Sequence, residues 1–206
     1  MSNQSPTPTP HHLKRSGINH AAENGAQAPL PCNLVDDFWQ KSCSFYALPS
    51  VQAVLLELQD KHQYSVNRLL FCLWFSQMFQ QLIDAHLVKQ DQDEIEAVES
   101  SVSELRQHRT QFDNNFGKPA SGNLGNAREL MLQTELAIEK EIQYRLVNCL
   151  CNGKYPPINQ ISAETQAFLI DENISLLNQH RSQAEESLIQ KVSMLWIQQQ
   201  DCYNRG

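Results

Sequence analysis

Two glutamates one helical turn apart are the first residues in this chain whose placement suggests chemistry. At helical periodicity Leu132, Ile138, Ile142 and Leu146 define an apolar face, and Glu135 and Glu139 fall within the same arc. Arg128 points that way too. A carboxylate turned toward a core needs a partner, because an isolated charge is costly to remove from water. In a helical bundle such a pair can act as general acid and base or hold a metal. The structural alternative is an ion pair, which imitates a site in composition.

Arg109 supplies the means for that alternative. Ile95, Val98, Val102, Leu105 and Phe112 are spaced 3, 4, 3 and 7, an apolar seam whose missing slot is filled by Arg109. If this helix and the next form an antiparallel hairpin about the glycine-rich stretch 114–127, Arg109 faces residues 131–135. Glu135 is then its expected partner, with Glu139 one turn further along. Glu135, Glu139, Arg109 and Arg128 are the catalytic candidates.

Other templates fail. The chain has no Gly-x-Gly-x-x-Gly, no phosphate-binding loop, no His-Glu-x-x-His and no Gly-x-Ser-x-Gly. Glu104 and His108 are four apart, whereas di-iron bundles use Glu-x-x-His. Asp36-Asp37 resembles half of a prenyl-chain enzyme motif, but at a helix start it serves the helix dipole. His62 and Tyr64 fall in a turn and are expected in solvent. Cys32, Cys43, Cys72, Cys149, Cys151 and Cys202 include no Cys-x-x-Cys pair and are expected as reduced thiols. No cofactor and no metal are expected.

The elements that must position these residues are helices. Residues 1–32 are rich in Pro, Ser, Thr, Asn and Ala and carry almost no periodic apolar surface, so they are expected to be a disordered tail. Helical spacing then runs from Asn33 to Leu48, where Pro49 stops one helix and starts another. Ser65 caps a third, whose Leu69–Phe75 run is apolar on every side and belongs at the centre of a bundle. A long amphipathic helix over Asp91–Asp113 and another over Ala127–Leu150 flank the loop 114–127. Asn152-Gly153 and Pro156-Pro157 end the latter. Two helices close the chain, the second opened by a capping box of Ser182 and Glu185. The expectation is all-α: a single bundle of about six to seven helices, with 33–150 as its core and 151–206 as a C-terminal helical pair.

Composition sets outer limits. The chain has 206 residues, 41% hydrophobic and 19% charged, with a formal net charge of −7. That is enough apolar material for a core. An acidic body repels phosphate backbones and anionic lipid, so neither nucleic acid nor a membrane is expected as a partner. The apolar run Leu69–Phe75 falls short of the roughly 18 residues a membrane span requires. The tail has no apolar stretch of the kind that directs export, and the cytoplasm is the expected location.

Asp37-Phe-Trp39, Tyr46-x-x-Pro-x-Val51, Leu58-Gln-Asp60, Val66-Asn67 and Leu69-Leu-Phe-Cys-Leu-Trp74 resemble a proteobacterial family of small conserved hypothetical proteins, a domain of unknown function. The likeness is densest over residues 36–75 and weakens beyond Leu150. Ser50 and Gln63 stand where the family pattern has glycine, and Ser65 where it has aspartate. The resemblance implies a bacterial cytoplasmic protein and transfers no activity. Two functions therefore stay open: a protein-interaction module, adaptor or regulator, whose partner is another protein, or a helical enzyme or small-ligand binder using Glu135 and Glu139. A closed interior favours the first and a cavity with convergent carboxylates the second.

Overall fold

A helix that is apolar all round has no face to give to solvent, and the bundle is arranged around one. The computed structural model describes residues 32–152, 161–177 and 182–203. Its central helix α3 (Val66–Phe79) has every residue from Asn67 to Ser76 buried. It is covered by α1 (Cys32–Tyr46), α2 (Pro49–His62), α6 (Gly122–Asn148) and α7 (Ala163–Leu177). α8 (Gln183–Tyr203) packs on α2 and α7. α4 (Ala85–Gln90) leads into α5 (Gln92–Phe116), which lies along α6 as the second arm of a hairpin, and a 3-10 turn (Cys149–Asn152) follows α6. Among the described residues there are eight α-helices and no strand, so the fold is an all-α helical bundle. The proline-rich stretch 1–31 and its histidines lie outside the described residues, as do 153–160.

Local chemistry fixes the helix ends. Pro49 sits at the first position of α2 behind an extended Leu48. The Ser65 side chain accepts from the Arg68 amide and caps α3. Between them Gln63 adopts φ +61° and donates its amide to the Gln59 carbonyl, a left-handed helix end that costs an L side chain and that glycine takes freely. At α8 the capping box forms in both directions: the Ser182 amide donates to Glu185 Oε2 at 2.9 Å, and the Glu185 amide to Ser182 Oγ at 3.3 Å.

Three expectations are corrected. The loop expected over 114–127 shrinks to residues 117–121, because α5 runs on to Phe116, whose ring packs on Phe112, and α6 begins at Gly122. Gly125 fits inside α6 because a Cβ there would meet the Ala120 carbonyl carbon at 2.9 Å. Asp37 is not in the first turn of α1. It accepts the indole N–H of buried Trp74 at 2.8 Å and pairs with Lys41 at 3.1 Å. Tyr64 is buried instead of solvated, its hydroxyl 3.4 Å from Glu185 Oε2, and half-buried His62 meets Glu185 Oε1 at 3.0 Å.

One buried amide ties distant parts together. Asn173 on α7 donates to Ser76 Oγ (2.8 Å) and to the Gln81 carbonyl (3.0 Å), and accepts from the Ile83 amide (2.7 Å). Its side chain thereby supplies partners to backbone just past the end of α3, where no helix can. No helix among the described residues is long and apolar enough to cross a membrane.

Candidate functional site

The α5–α6 hairpin carries a row of arginine–carboxylate pairs. Arg109 Nε donates to Glu135 Oε1 at 2.5 Å, and its Nη1 lies 3.6 Å from Asp113 Oδ2. One turn back, Arg106 donates to Glu139. One turn nearer the loop, Arg128 forks onto Asp113 through Nε (2.7 Å) and Nη2 (3.2 Å), the geometry a planar guanidinium suits best. That hydrogen bond, helped by the charges of Arg128 and Arg109, holds the Asp113 carboxyl below the usual carboxylate range. The arginine in the apolar seam is therefore answered from the facing helix, at the position the hairpin register requires.

Beside these pairs the bundle opens into a cleft of about 340 Å³ bounded by α1, α2, α3, α5 and α6. One face of α1 contributes Trp39, Ser42, Cys43 and Tyr46, spaced as successive residues on one side of a helix. Leu70 and Val66 of α3 lie deeper, while Leu56 of α2 and Leu136 of α6 form exposed lips. Arg106, Arg109, Glu135 and Glu139 make the charged wall. Glu135 is only 6% exposed.

Two lining residues hold polar atoms without partners. Gln143, one turn beyond Glu139, donates its amide N–H to Asn67 Oδ1 at 2.9 Å, which leaves its own carbonyl Oε1 buried and unmatched. Ser42 Oγ is likewise buried without a partner. Buried polar atoms are nearly always hydrogen-bonded, and these two exceptions both belong to residues beside the cleft. The Cys43 thiol and the Tyr46 phenol are both pushed up, chiefly by burial, and so are neutral at physiological pH.

Of the four candidates, Arg109, Glu135 and Glu139 meet at this cleft. Arg128 does not: the expected common arc with the glutamates is overridden by its fork onto Asp113, outside the cleft. Sequence reasoning missed Arg106 and Gln143, though the signal was present. Arg106 is three residues before Arg109, and Gln143 continues the four-residue spacing of Glu135 and Glu139. Ser42 gave no such signal. Among the described residues no three His, Cys, Asp or Glu side chains are grouped to hold a metal ion.

The model of a family described as Protein of unknown function (DUF2390) matches residues 37–146, more than half of the chain. No curated protein and no solved structure matches it significantly.

Proposed function

We propose that this chain, which belongs to the DUF2390 family of proteins of unknown function, is a binding module whose cleft between α1, α2 and α6 takes a small molecule. The observation that carries the reading is the cleft itself: about 340 Å³, with apolar lips and floor and a charged wall. Ligand sites are typically concave and largely apolar, with a few polar groups that fix orientation. Binding is favoured over catalysis because Glu135 and Glu139 each already hold a guanidinium, which either would have to release to serve as acid or base. Titration with N-phenylnaphthylamine, a dye that brightens in apolar surroundings, tests the site. Emission should rise with the protein and fall back in Leu136→Trp, which fills the mouth from a residue 49% exposed and so spares the core. A dye response unaffected by that substitution rejects the cleft.

A protein-interaction role, adaptor or regulator, is a second reading. It is supported by Leu130, Ala137 and Tyr144, an exposed row at seven-residue spacing along the outer side of α6. Affinity purification of wild type beside Leu130→Glu/Tyr144→Glu tests it: a bound protein that survives the double substitution does not use this row. The free thiol at Cys43 supports a reducing, cytoplasmic setting, and the motifs of residues 36–75 support a bacterial one.

A further inference from the structure

Each arginine in the wall of the cleft keeps hydrogen-bonding capacity after its ion pair is made. Arg106 reaches Glu139 through Nη2, and Arg109 reaches Glu135 through Nε. A guanidinium donates from every nitrogen, so Nε and Nη1 of Arg106 stay unused among the described residues. Each glutamate accepts through Oε1, and a carboxylate has lone pairs on both oxygens, so Oε2 stays unused as well. None of these atoms is among the polar groups shut away from solvent without a partner. Both pairs line the cleft.

The Arg106–Glu139 pair is the more open of the two. Its side chains are 27% and 29% exposed, against 22% and 8% for Arg109 and Glu135. Within that pair, spare N–H donors lie beside a spare carboxylate oxygen. A carboxylate brought to Arg106 would use the donors and crowd the Glu139 charge. An ammonium brought to Glu139 would use the oxygen and crowd the Arg106 charge. A group that offers a C=O and an N–H side by side uses both and leaves the pair intact.

We infer that the ligand of the cleft carries a carboxamide or a like group on an apolar body, its C=O accepting from Arg106 and its N–H donating to Glu139 Oε2. The apolar body lies against Trp39, Tyr46 and Leu136. This rests on the cleft being the ligand site proposed above, and it adds the class of ligand.

Four competitors on one frame test this by displacing N-phenylnaphthylamine from the cleft. Naphthylacetamide carries the carboxamide, naphthylacetate a carboxylate in its place, naphthylethylamine an ammonium, and ethylnaphthalene no polar group. The amide should displace the dye at about a tenth of the concentration that each of the others needs. In Arg106→Met/Glu139→Leu, which removes the pair together and strands neither charge, the amide should fall level with ethylnaphthalene while the dye still binds. The comparison on the unaltered protein carries the carboxamide claim even if that variant folds poorly. Ethylnaphthalene as effective as the amide overturns the polar contact. Acetate or amine as effective as the amide overturns the paired recognition in favour of a single charge. An amide advantage that survives in the double variant overturns the assignment to Arg106 and Glu139. In each of these cases a dye response that still obeys Leu136→Trp keeps the cleft as a site. A response blind to Leu136→Trp rejects the site and this inference with it.

Discussion

Arg109 on α5 and Glu135 on α6 form a direct hydrogen-bonded ion pair between positions that an apolar seam would otherwise fill. Breaking it from one side leaves a charge inside the hairpin. Arg109→Met or Glu135→Leu alone should each cost about 2–4 kcal/mol, and the double substitution should be less harmful than either. Urea unfolding of the four proteins in the cycle measures this. Additive losses would show that the two groups contribute independently.

Leu73 lies on α3 with no exposed surface. Leu73→Ala should cost about 2–5 kcal/mol, transfer plus cavity, in the same assay. A near-neutral result would place this face of α3 in solvent.

Asn173 gives both polar atoms of its amide a partner. Replacing it with leucine keeps the volume and strands the buried Ile83 amide. A loss of about 2–4 kcal/mol is expected. Hydrogen exchange should localise it: the Ile83 amide speeds up before those of α6. Unchanged Ile83 protection would count against the clamp.

Glu185 serves its own helix and the neighbouring one. Its carboxyl is held below the ordinary value of 4.5 first by the Ser182 amide and then by His62. A depressed carboxylate lends stability that is full above pH 4.5 and is lost as pH falls through the lowered value. Acid titration followed by circular dichroism should therefore show a shallower loss below pH 4.5 in Glu185→Gln than in the unaltered protein. An identical acid limb would mean that this carboxyl is indifferent to folding.

Gln63 occupies the left-handed region at the end of α2. Gln63→Gly should raise stability by about 0.5–1 kcal/mol, since glycine enters that region without a Cβ penalty. Thermal unfolding reads the sign. A fall would show that the Gln63 side chain contributes more than the strain removes.

The sequence made the helices legible where periodicity or caps were strong, as at Leu69–Phe75, Ser65 and Ser182. It also made the Arg109–Glu135 contact legible, because a hairpin converts sequence distance into register. It misled where a tertiary partner outweighs local preference. Phe116 continues α5 beyond two asparagines by packing on Phe112. Asp37 serves the Trp74 indole, and Tyr64 is buried against α8. The cleft was legible on its α5–α6 wall alone. Its other walls come from α1, α2 and α3, and nothing local in a chain records which faces of separate helices will fail to close.

The order in which the chain is made gives α3 a particular exposure. α7, which packs on one side of it and buries Ile170 and Ile174, comes four helices later. Synthesis runs from the N-terminus, so an apolar helix is complete well before one of its covers exists. A chain that stops after α6 presents that bare side to any neighbour on the same message. Ribosome stalling or proteolytic loss of α7 would thus leave that apolar side of α3 bare.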